Sequence, residues 1–312
     1  MPAAEPASQG ASRLLTWIAL ATTLFFWASA FVGIRAGLQG YEPGHLAVLR
    51  FFTASAALGL FALFRRPRLP LLRDVPALFA HGFFGFTAYH LLLNYGERTV
   101  SAASACFLIG AIPIFTALMA GLVLKERLGR RLLLGIAVSM AGVALIALGE
   151  GGGFRIDAGA LLIVLAAFSE SLFMILQKPY LSRYTPSEYV TWTVFAGTIL
   201  MLPWAPGLWE AVRQAPADAT IAGVYLGIGP AAIAYATWAY ALKRAEVSRV
   251  VITQFSMPAV TMLLGWAVLD ELPNLLAVSG GLLALAGVAL GVVKFAPRAA
   301  ARRRARQHPP GK

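Results

Sequence analysis

Residues 157–178 have the sequence DAGALLIVLAAFSESLFMILQK, an apolar run with one ionisable side chain, Glu170, in its interior. As an α-helix this run would extend for about 33 Å, enough to cross the ~30 Å hydrocarbon core of a bilayer. A charged side chain in such a helix is costly unless it faces a cavity or a partner. The segment therefore predicts a membrane-spanning helix with a candidate functional residue near its middle.

Apolar segments of similar length occupy most of the remaining chain. The predicted spans lie at about 14–35, 44–64, 74–96, 101–124, 130–149, 157–178, 187–205, 218–242, 246–269 and 275–295. Of the 312 residues, 59% are hydrophobic and 13% charged, and the mean hydropathy is +0.72. Soluble domains are about half apolar and a quarter charged. The strands of membrane β-barrels alternate apolar and polar residues and do not contain continuous apolar segments. We predict an all-α integral membrane protein with ten transmembrane helices.

Lys and Arg are concentrated in alternate connecting segments. If the N-terminus is cytoplasmic, 21 of these residues lie on the cytoplasmic side and four on the other side. This excess predicts a multi-pass membrane protein with both termini in the cytoplasm. Residues 1–13 are expected to be a disordered tail and residues 296–312 a basic tail. A signal peptide is the alternative for the first segment, since residues 28–30 (Ala-Ser-Ala) resemble a cleavage site, but the apolar run continues beyond them.

The two halves of the sequence repeat. A shift of 145 residues places Pro113 on Pro258, Glu126 on Glu271, and Gly-Val-Ala-Leu at 142–145 on 287–290. Each half has five predicted spans, an odd number, so the second half must enter the membrane in the opposite orientation. Two inverted five-helix repeats, residues 14–149 and 157–295, indicate a secondary carrier that works by alternating access around a central cavity.

Glu170 is the first candidate for chemistry. It would either contact an ammonium group of the substrate or take part in proton coupling, and a carboxylate bonded to a neighbouring helix is the alternative. The other substrate-binding candidates are polar or aromatic side chains within predicted spans, namely Trp27, Tyr89, His90, Tyr235, Trp238 and Gln254. For Tyr89 and His90 a purely structural hydrogen-bonding role stays open.

Two prolines and two carboxylates occupy equivalent places in the halves. Pro113 and Pro258 each leave a backbone carbonyl free, which predicts kinks that act as hinges, with a packing kink as the alternative. Glu126 and Glu271 lie at span ends just before the next helix. We expect each carboxylate to cap the N-terminus of the helix that follows it.

Several other side chains are expected to have structural roles. Arg50 lies near a span end, where it is expected to snorkel or to pair with Glu42. His81 is expected to be structural. Gly287 and Gly291 have GxxxG spacing, which predicts either packing within the bundle or a contact in a possible homodimer.

The sequence contains no motif for catalysis or for a cofactor. It lacks HExxH, CxxC and GxxxxGK[ST], and its four histidines have no metal-ligand spacing. We therefore predict no enzymatic activity, no metal and no cofactor. The basic residues lie in short loops rather than in a stripe interleaved with aromatic residues, which argues against binding of nucleic acid. The predicted partners are a small-molecule substrate and membrane lipids.

The order and spacing of several short motifs resemble the EamA branch of the drug/metabolite transporter superfamily. The matching residues are Trp27-Ala28-Ser29-Ala30-Phe31, Leu49-Arg50-Phe51, Pro113, Lys125-Glu126-Arg127, Gly142-Val143, Ala234-Tyr235, Trp238, Pro258, Asp270-Glu271 and Gly287-Val288. The resemblance covers about residues 14–295. It implies ten helices in two inverted repeats, a central cavity, and export of amino acids or related metabolites without ATP.

Among members of this family the chain is most similar to bacterial amino-acid exporters, including exporters of aromatic amino acids. This resemblance implies a location in the bacterial inner membrane. The resemblance implies cavity residues at Tyr89, Glu170 and Gln254. Glu170 and Ile112 stand where that group has aromatic residues, which argues against an aromatic substrate and favours a solute with a free amine, or proton coupling. Export of a nucleoside, polyamine or cationic drug is the alternative function. A function of a different class, that of an intramembrane enzyme or a lipid-handling protein, is the remaining alternative.

Overall fold

The computed structural model describes residues 6–99, 105, 108–126, 128–149, 158–269 and 275–292, and the regular elements in these ranges are all helical. The α-helices are α1 Pro6–Leu38, α2 Pro43–Arg65, α3 Val75–Gly82, α4 Tyr89–Gly96, α5 Ala111–Val123, α6 Arg130–Gly149, α7 Ala158–Tyr180, α8 Pro186–Leu200, α9 Leu208–Gln214, α10 Ala217–Leu226, α11 Ala234–Arg244, α12 Val247–Val251, α13 Met257–Leu269 and α14 Leu275–Val292. Short 3₁₀ turns occur at Leu72–Asp74 and Leu202–Trp204.

Four helical stretches are long and apolar enough to cross a bilayer. They are Leu14–Leu38, Pro43–Arg65, Ala158–Tyr180 and Ala217–Arg244, and the shorter helices Ala111–Val123 and Val278–Gly291 are also apolar. Large apolar side chains such as Leu63, Phe64 and Leu122 are exposed on the outside of the bundle. A helical bundle surrounded by lipid presents such a surface. The prediction of an all-helical fold with apolar helices of membrane-spanning length is confirmed.

Helix α1 begins at Pro6, eight residues before the predicted first span. Proline is favourable at the first helical position, and the Ala, Ser and Gln residues that follow are compatible with a helix. Residues 6–13 therefore continue the helix in this structure, where the sequence predicts a disordered tail over residues 1–13. Residues 1–5, residues 150–157, residues 270–274 with Glu271, and the predicted tail at 296–312 lie outside the described residues.

Three helical stretches change helix type along their length. π-Helical segments at Phe83–Ala88 and Gly227–Ile233 join α3 to α4 and α10 to α11. A 3₁₀ segment at Ile252–Ser256 joins α12 to α13. Pro230 has no N–H to donate to the preceding turn, and a π-bulge accommodates this loss. All three changes occur in stretches that line the cavity described below.

Helices from distant parts of the sequence pack into two groups. The Glu170 group consists of the α3–α4 stretch, the segment 108–123 with α5, and α7, because α7 packs along α4 and α5. The Trp27 group consists of α1, the α10–α11 stretch and the α12–α13 stretch, because α1 packs along α10, α11 and α13. The first helix therefore lies with helices from the second half of the sequence, and α7 lies with helices from the first half.

Helices α6 and α14 share the most extensive helix–helix contact among the described elements. Ser139 Oγ donates a hydrogen bond of 3.0 Å to the Ala284 carbonyl oxygen. A Cβ atom added to Gly287 would lie 2.7 Å from the Gly135 carbonyl oxygen, so the two backbones approach closely only because glycine stands there. Gly287 and Gly291 thus pack against α6 of the same chain and do not form the dimer contact given as one alternative.

Candidate functional site

A cavity with an empty volume of about 480 Å³ lies between the Glu170 group and the Trp27 group. Its lining residues are Trp27, Ala30, Phe31, Ile34, Tyr235, Gln254 and Met257 from the Trp27 group, Tyr89, His90, Leu93, Ile109, Ile112, Glu170 and Met174 from the Glu170 group, and Arg50 from α2. Six of the seven predicted substrate-binding side chains line the cavity, and Trp238 does not.

Glu170 is buried in the middle of α7, at the wall of the cavity. The neighbouring Ser169 donates a hydrogen bond of 2.8 Å to the Phe84 carbonyl oxygen, which fixes this part of α7 against the π-helical segment. Tyr235 Oη donates to Glu170 Oε1 at 3.4 Å, while Oε2 is buried with no hydrogen-bond donor among the described residues. A buried oxygen without a donor is costly, so Oε2 is a favourable place for a ligand donor.

Arg50 is the residue that sequence reasoning missed. It is only 4% exposed, it lines the cavity, and its Nε is buried without an acceptor among the described residues. The predicted pairing with Glu42 is wrong, because Glu42 pairs with Arg98 at 3.3 Å. Snorkelling is wrong as well, since the side chain is buried at the cavity. A cation inside an apolar run was the available signal.

Trp27 and Tyr235 form an aromatic wall on one side of the cavity. Trp27 Nε1 donates to the carbonyl oxygen of Pro230 at 3.2 Å, which ties α1 to the second π-helical segment. The Trp27 and Tyr235 rings meet edge to face with their centroids 5.2 Å apart. Trp238, one turn after Tyr235 on α11, lies behind Trp27, fully buried and with its ring centroid 5.1 Å from that of Trp27.

Tyr89 and His90 line the opposite wall. His90 Nδ1 lies 3.0 Å from the Phe86 carbonyl oxygen, which only accepts, so Nδ1 carries the proton of the neutral ring and Nε2 is an acceptor. The Tyr89 and His90 rings meet edge to face at 4.6 Å. His90 therefore has both a structural bond and a place in the lining. His81, by contrast, accepts or donates a 2.8 Å bond with Tyr189 and is absent from the lining.

A smaller cavity of about 270 Å³ adjoins the first. Both predicted kink residues, Pro113 and Pro258, line it, together with Gln254, which also lines the larger cavity. A turn at Gly110 and the 3₁₀ segment at Ile252–Ser256 interrupt the two helices just before these prolines. Gln254 Nε2 is buried without an acceptor among the described residues, so it is a further donor available to a ligand.

A family model described as the EamA-like transporter family matches residues 14–148 and again residues 157–293. The chain belongs to the EamA-like transporter family. The resemblance inferred from the short sequence motifs is thereby confirmed. Both the family description and the names of the relatives below are those of transporters.

Among the described residues, no group of three His, Cys, Asp or Glu side chains could hold a metal ion.

Relatives of this EamA-like transporter are similar along most of their length. The uncharacterized transporter YdfC of Bacillus subtilis is 44% identical over 268 residues, which cover 86% of this chain and 88% of YdfC. A probable terminal-alkyne amino-acid exporter of Streptantibioticus cattleyicolor is 38% identical over 272 residues, which cover 87% and 91% of the two chains. A crystal structure at 20% identity aligns with a TM-score of 0.73 over 95% of this chain and 99% of that chain, which supports the fold alone.

The two helix groups of this EamA-like transporter are joined at one end of the bundle. This end, called the basic end, carries the loops after α2 and α7 and the loop between α11 and α12. Glu126 accepts hydrogen bonds from Val247 N (2.8 Å), Ser248 N (3.0 Å) and Ser248 Oγ (2.7 Å). Lys178 donates to the Leu242 carbonyl oxygen and to the Ala245 carbonyl oxygen, which directly follows α11. An anion at the start of α12 and a cation at the end of α11 complement the two helix dipoles.

The partner of Glu126 differs from the one predicted. Its carboxylate caps α12, in the other helix group, and not the following helix α6. The cavity extends toward the opposite end of the bundle, since Ile34 and Leu93 lie about one turn from the ends of α1 and α4. The EamA-like transporter is therefore closed between its helix groups at the basic end.

Proposed function

We propose that this chain is a secondary transporter that exports amino acids or related small metabolites across a bacterial inner membrane by alternating access. The observation that carries the proposal is the cavity between two helix groups, in which Glu170 Oε2 has no donor among the described residues. The similarity to a protein named as a probable terminal-alkyne amino-acid exporter supports amino acids as the solute class.

We propose ten transmembrane helices in two inverted repeats, residues 14–149 and 157–295. The exchange of α1 and α7 between the helix groups supports this arrangement, as do π-helical segments that begin 144 residues apart, at Phe83 and Gly227. Inverted repeats allow two halves to exchange conformations, which is the basis of alternating access. The distribution of Lys and Arg supports placing the basic end and both termini in the cytoplasm.

In the proposed cycle, the arrangement described above is the state closed to the cytoplasm, from which solute leaves to the outside. In the other state, the contacts of Glu126 and Lys178 between the helix groups are broken and the cavity opens to the cytoplasm. Solute enters there and contacts Glu170, Tyr89 and Gln254. The groups move about the helix breaks that precede the two kink prolines.

Export of a nucleoside, polyamine or cationic drug is the alternative function. Arg50 argues against a polyamine or a cationic drug, because a buried guanidinium repels a second cation in a low-dielectric cavity. Glu170 argues in the same way against an anion. A neutral nucleoside would leave both charges without a partner.

The Glu170→Gln variant is expected to lose at least tenfold in exchange rate, because glutamine keeps the shape but cannot pair with an ammonium group. The measurement is counterflow of labelled amino acids into proteoliposomes loaded with a broad solute panel, at pH 6 and pH 8. Glu42→Gln is the matched control, since Glu42 is exposed and pairs with Arg98 outside the cavity. Equal rates for Glu170→Gln and the unmodified protein would show that the carboxylate has no role in transport.

Glu97 provides a pH-dependent charge at the end of the bundle opposite the basic end. Burial raises the pKa of this carboxyl to about 7, against the attraction of Arg50 and Arg35, which face it. It is therefore mostly neutral at pH 6 and mostly charged at pH 8. We expect solutes with a carboxylate to bind several-fold more weakly at pH 8 when presented from this side, because the charged Glu97 weakens the attraction of Arg50. Glu97→Gln is expected to remove the difference, and a difference that persists in this variant would assign it to another group.

A further inference from the structure

The cavity contains one buried guanidinium, that of Arg50, and one buried carboxyl group, that of Glu170, that do not pair with each other. Arg50 is 4% exposed and Glu170 is 2% exposed, and no ion pair joins them among the described residues. Each also has a buried polar atom without a partner among the described residues, Nε in Arg50 and Oε2 in Glu170. An unpaired buried charge is costly, so both groups favour a ligand that satisfies them together.

We infer that Arg50 and Glu170 form a dipolar site that selects solutes with both a free α-carboxylate and a free α-ammonium group. Arg50 binds the carboxylate, because a guanidinium matches the planar geometry of a carboxylate with two parallel hydrogen bonds. Glu170 Oε2 accepts from the ammonium group. This inference rests on the proposed export of amino acids and defines which part of an amino acid is recognised.

The neighbouring residues favour this division of roles. Tyr235 Oη donates to Glu170 Oε1, which orients the carboxylate and leaves Oε2 toward the ligand. Ile112, Met174 and Trp27 line the same cavity, and they leave an apolar region for the side chain of the amino acid. The site therefore recognises the invariant part of an amino acid with charges and its variable part with apolar contacts.

A solute that lacks one of the two charged groups leaves one protein charge without a partner. Sites built from buried polar groups discriminate strongly against analogues that lack the matching group. In the unmodified protein, leucine methyl ester (which has no carboxylate) and N-acetylleucine (which has no ammonium) should inhibit exchange of labelled leucine at least tenfold more weakly than leucine does. The same should hold for phenylalanine and its two derivatives.

The variants are expected to remove one discrimination each. In Arg50→Gln, the ester should inhibit within about threefold of the amino acid while the N-acetyl derivative stays weak. In Glu170→Gln, the N-acetyl derivative should inhibit within about threefold of the amino acid while the ester stays weak. Such a crossed change in inhibition ratios would not follow from a general loss of packing, because that would weaken all three compounds together. Arg50→Lys, which keeps the charge without the planar group, should retain part of the ester discrimination and serves if Arg50→Gln does not fold.

The test uses the full chain in proteoliposomes, with Arg98→Gln and Glu42→Gln as matched controls from an ion pair outside the cavity. Both controls should keep the inhibition ratios of the unmodified protein. If the unmodified protein exchanges leucine or phenylalanine but the ester and the N-acetyl derivative inhibit as well as the parent, the dipolar site is wrong and amino-acid export stands. If it exchanges no amino acid, the proposed export is itself wrong. Crossed ratios in the two variants would establish the site.

Discussion

The Glu126→Ala variant is expected to open the cavity to the basic end and to raise its accessibility from that side about a hundredfold. Glu126 contributes three hydrogen bonds between the helix groups, two of them to backbone N–H groups at the start of α12. Hydrogen bonds to a charged group contribute about 1.5–3 kcal/mol each, and they are not additive. A net loss of about 3 kcal/mol from the closed state corresponds to about a hundredfold change in its equilibrium with the open state.

The measurement is the labelling rate of a single cysteine in the cavity. Met174→Cys, in a background where Cys106, the one native cysteine, is changed to Ser, places the thiol in the cavity lining. A membrane-impermeant maleimide is applied to inside-out vesicles, so that it reaches the protein from the cytoplasmic side. Lys178→Ala should act in the same direction, because Lys178 also joins the two groups at this end.

Asp74→Asn is the matched control for this prediction. Asp74 is a buried carboxylate near the same end, and it accepts bonds from Arg183 Nη1 (2.9 Å) and Tyr184 Oη (2.8 Å), which follow directly after α7. These bonds stay on the side of the Glu170 group, so their loss should not open the cavity. Equal labelling rates in Glu126→Ala and Asp74→Asn would mean that the Glu126 contacts do not hold the basic end closed.

Hydropathy alone predicts where most of the helices lie, because a bilayer demands continuous apolar runs of fixed length. It does not predict where a helix changes type. In the segment Phe83–Ala88, Thr87 Oγ1 donates to the Gly197 carbonyl oxygen at 3.1 Å, a partner from a distant helix that no local pattern reveals. Pro230 is a local signal for the second π-helical segment. The early start of α1 was missed because residues 6–13 are too polar to resemble a membrane span.

The candidate site was predictable as far as it depends on polar groups within apolar runs. Glu170 and Gln254 were found in this way, and both line the cavity. The distance of Arg50 from a helix end does not predict its environment. Its burial follows from α2 packing against the second π-helical segment and α8, which sequence does not show. Trp238 shares a helix face with Tyr235 but lies behind Trp27, and this depth depends on how α11 packs against α1, which sequence does not show.

The Gly142→Ala variant is expected to lower the melting temperature of the protein by about 10 °C. In an unconstrained helix interior the same change stabilises by about 1 kcal/mol, because alanine has the higher helix propensity. At Gly142 the new methyl group would collide with the backbone nitrogen of Ala284 and lie 2.6 Å from the Gly280 carbonyl oxygen. Backbone atoms of α14 cannot move aside singly, so α6 and α14 must separate and lose contact along their whole length.

This loss is measured by thermal unfolding of the purified protein in detergent, with size-exclusion chromatography used to monitor the protein that stays folded. Gly129→Ala is the matched control, since an added Cβ at Gly129 meets no atom of the described residues within 4 Å and should change the melting temperature little. If Gly142→Ala matches this control, α6 and α14 pack more loosely than the described contact requires.

Gly287→Ala distinguishes separation of the two helices from local strain. A methyl group there would collide with Ser139 and lie 2.7 Å from the Gly135 carbonyl oxygen, about two turns along the same contact from Gly142. Because one separation of α6 from α14 relieves both collisions, the double variant should lose less than the sum of the two single losses. Additive losses would instead mean that each glycine is accommodated by its own local adjustment, with the helix pair still in contact between them.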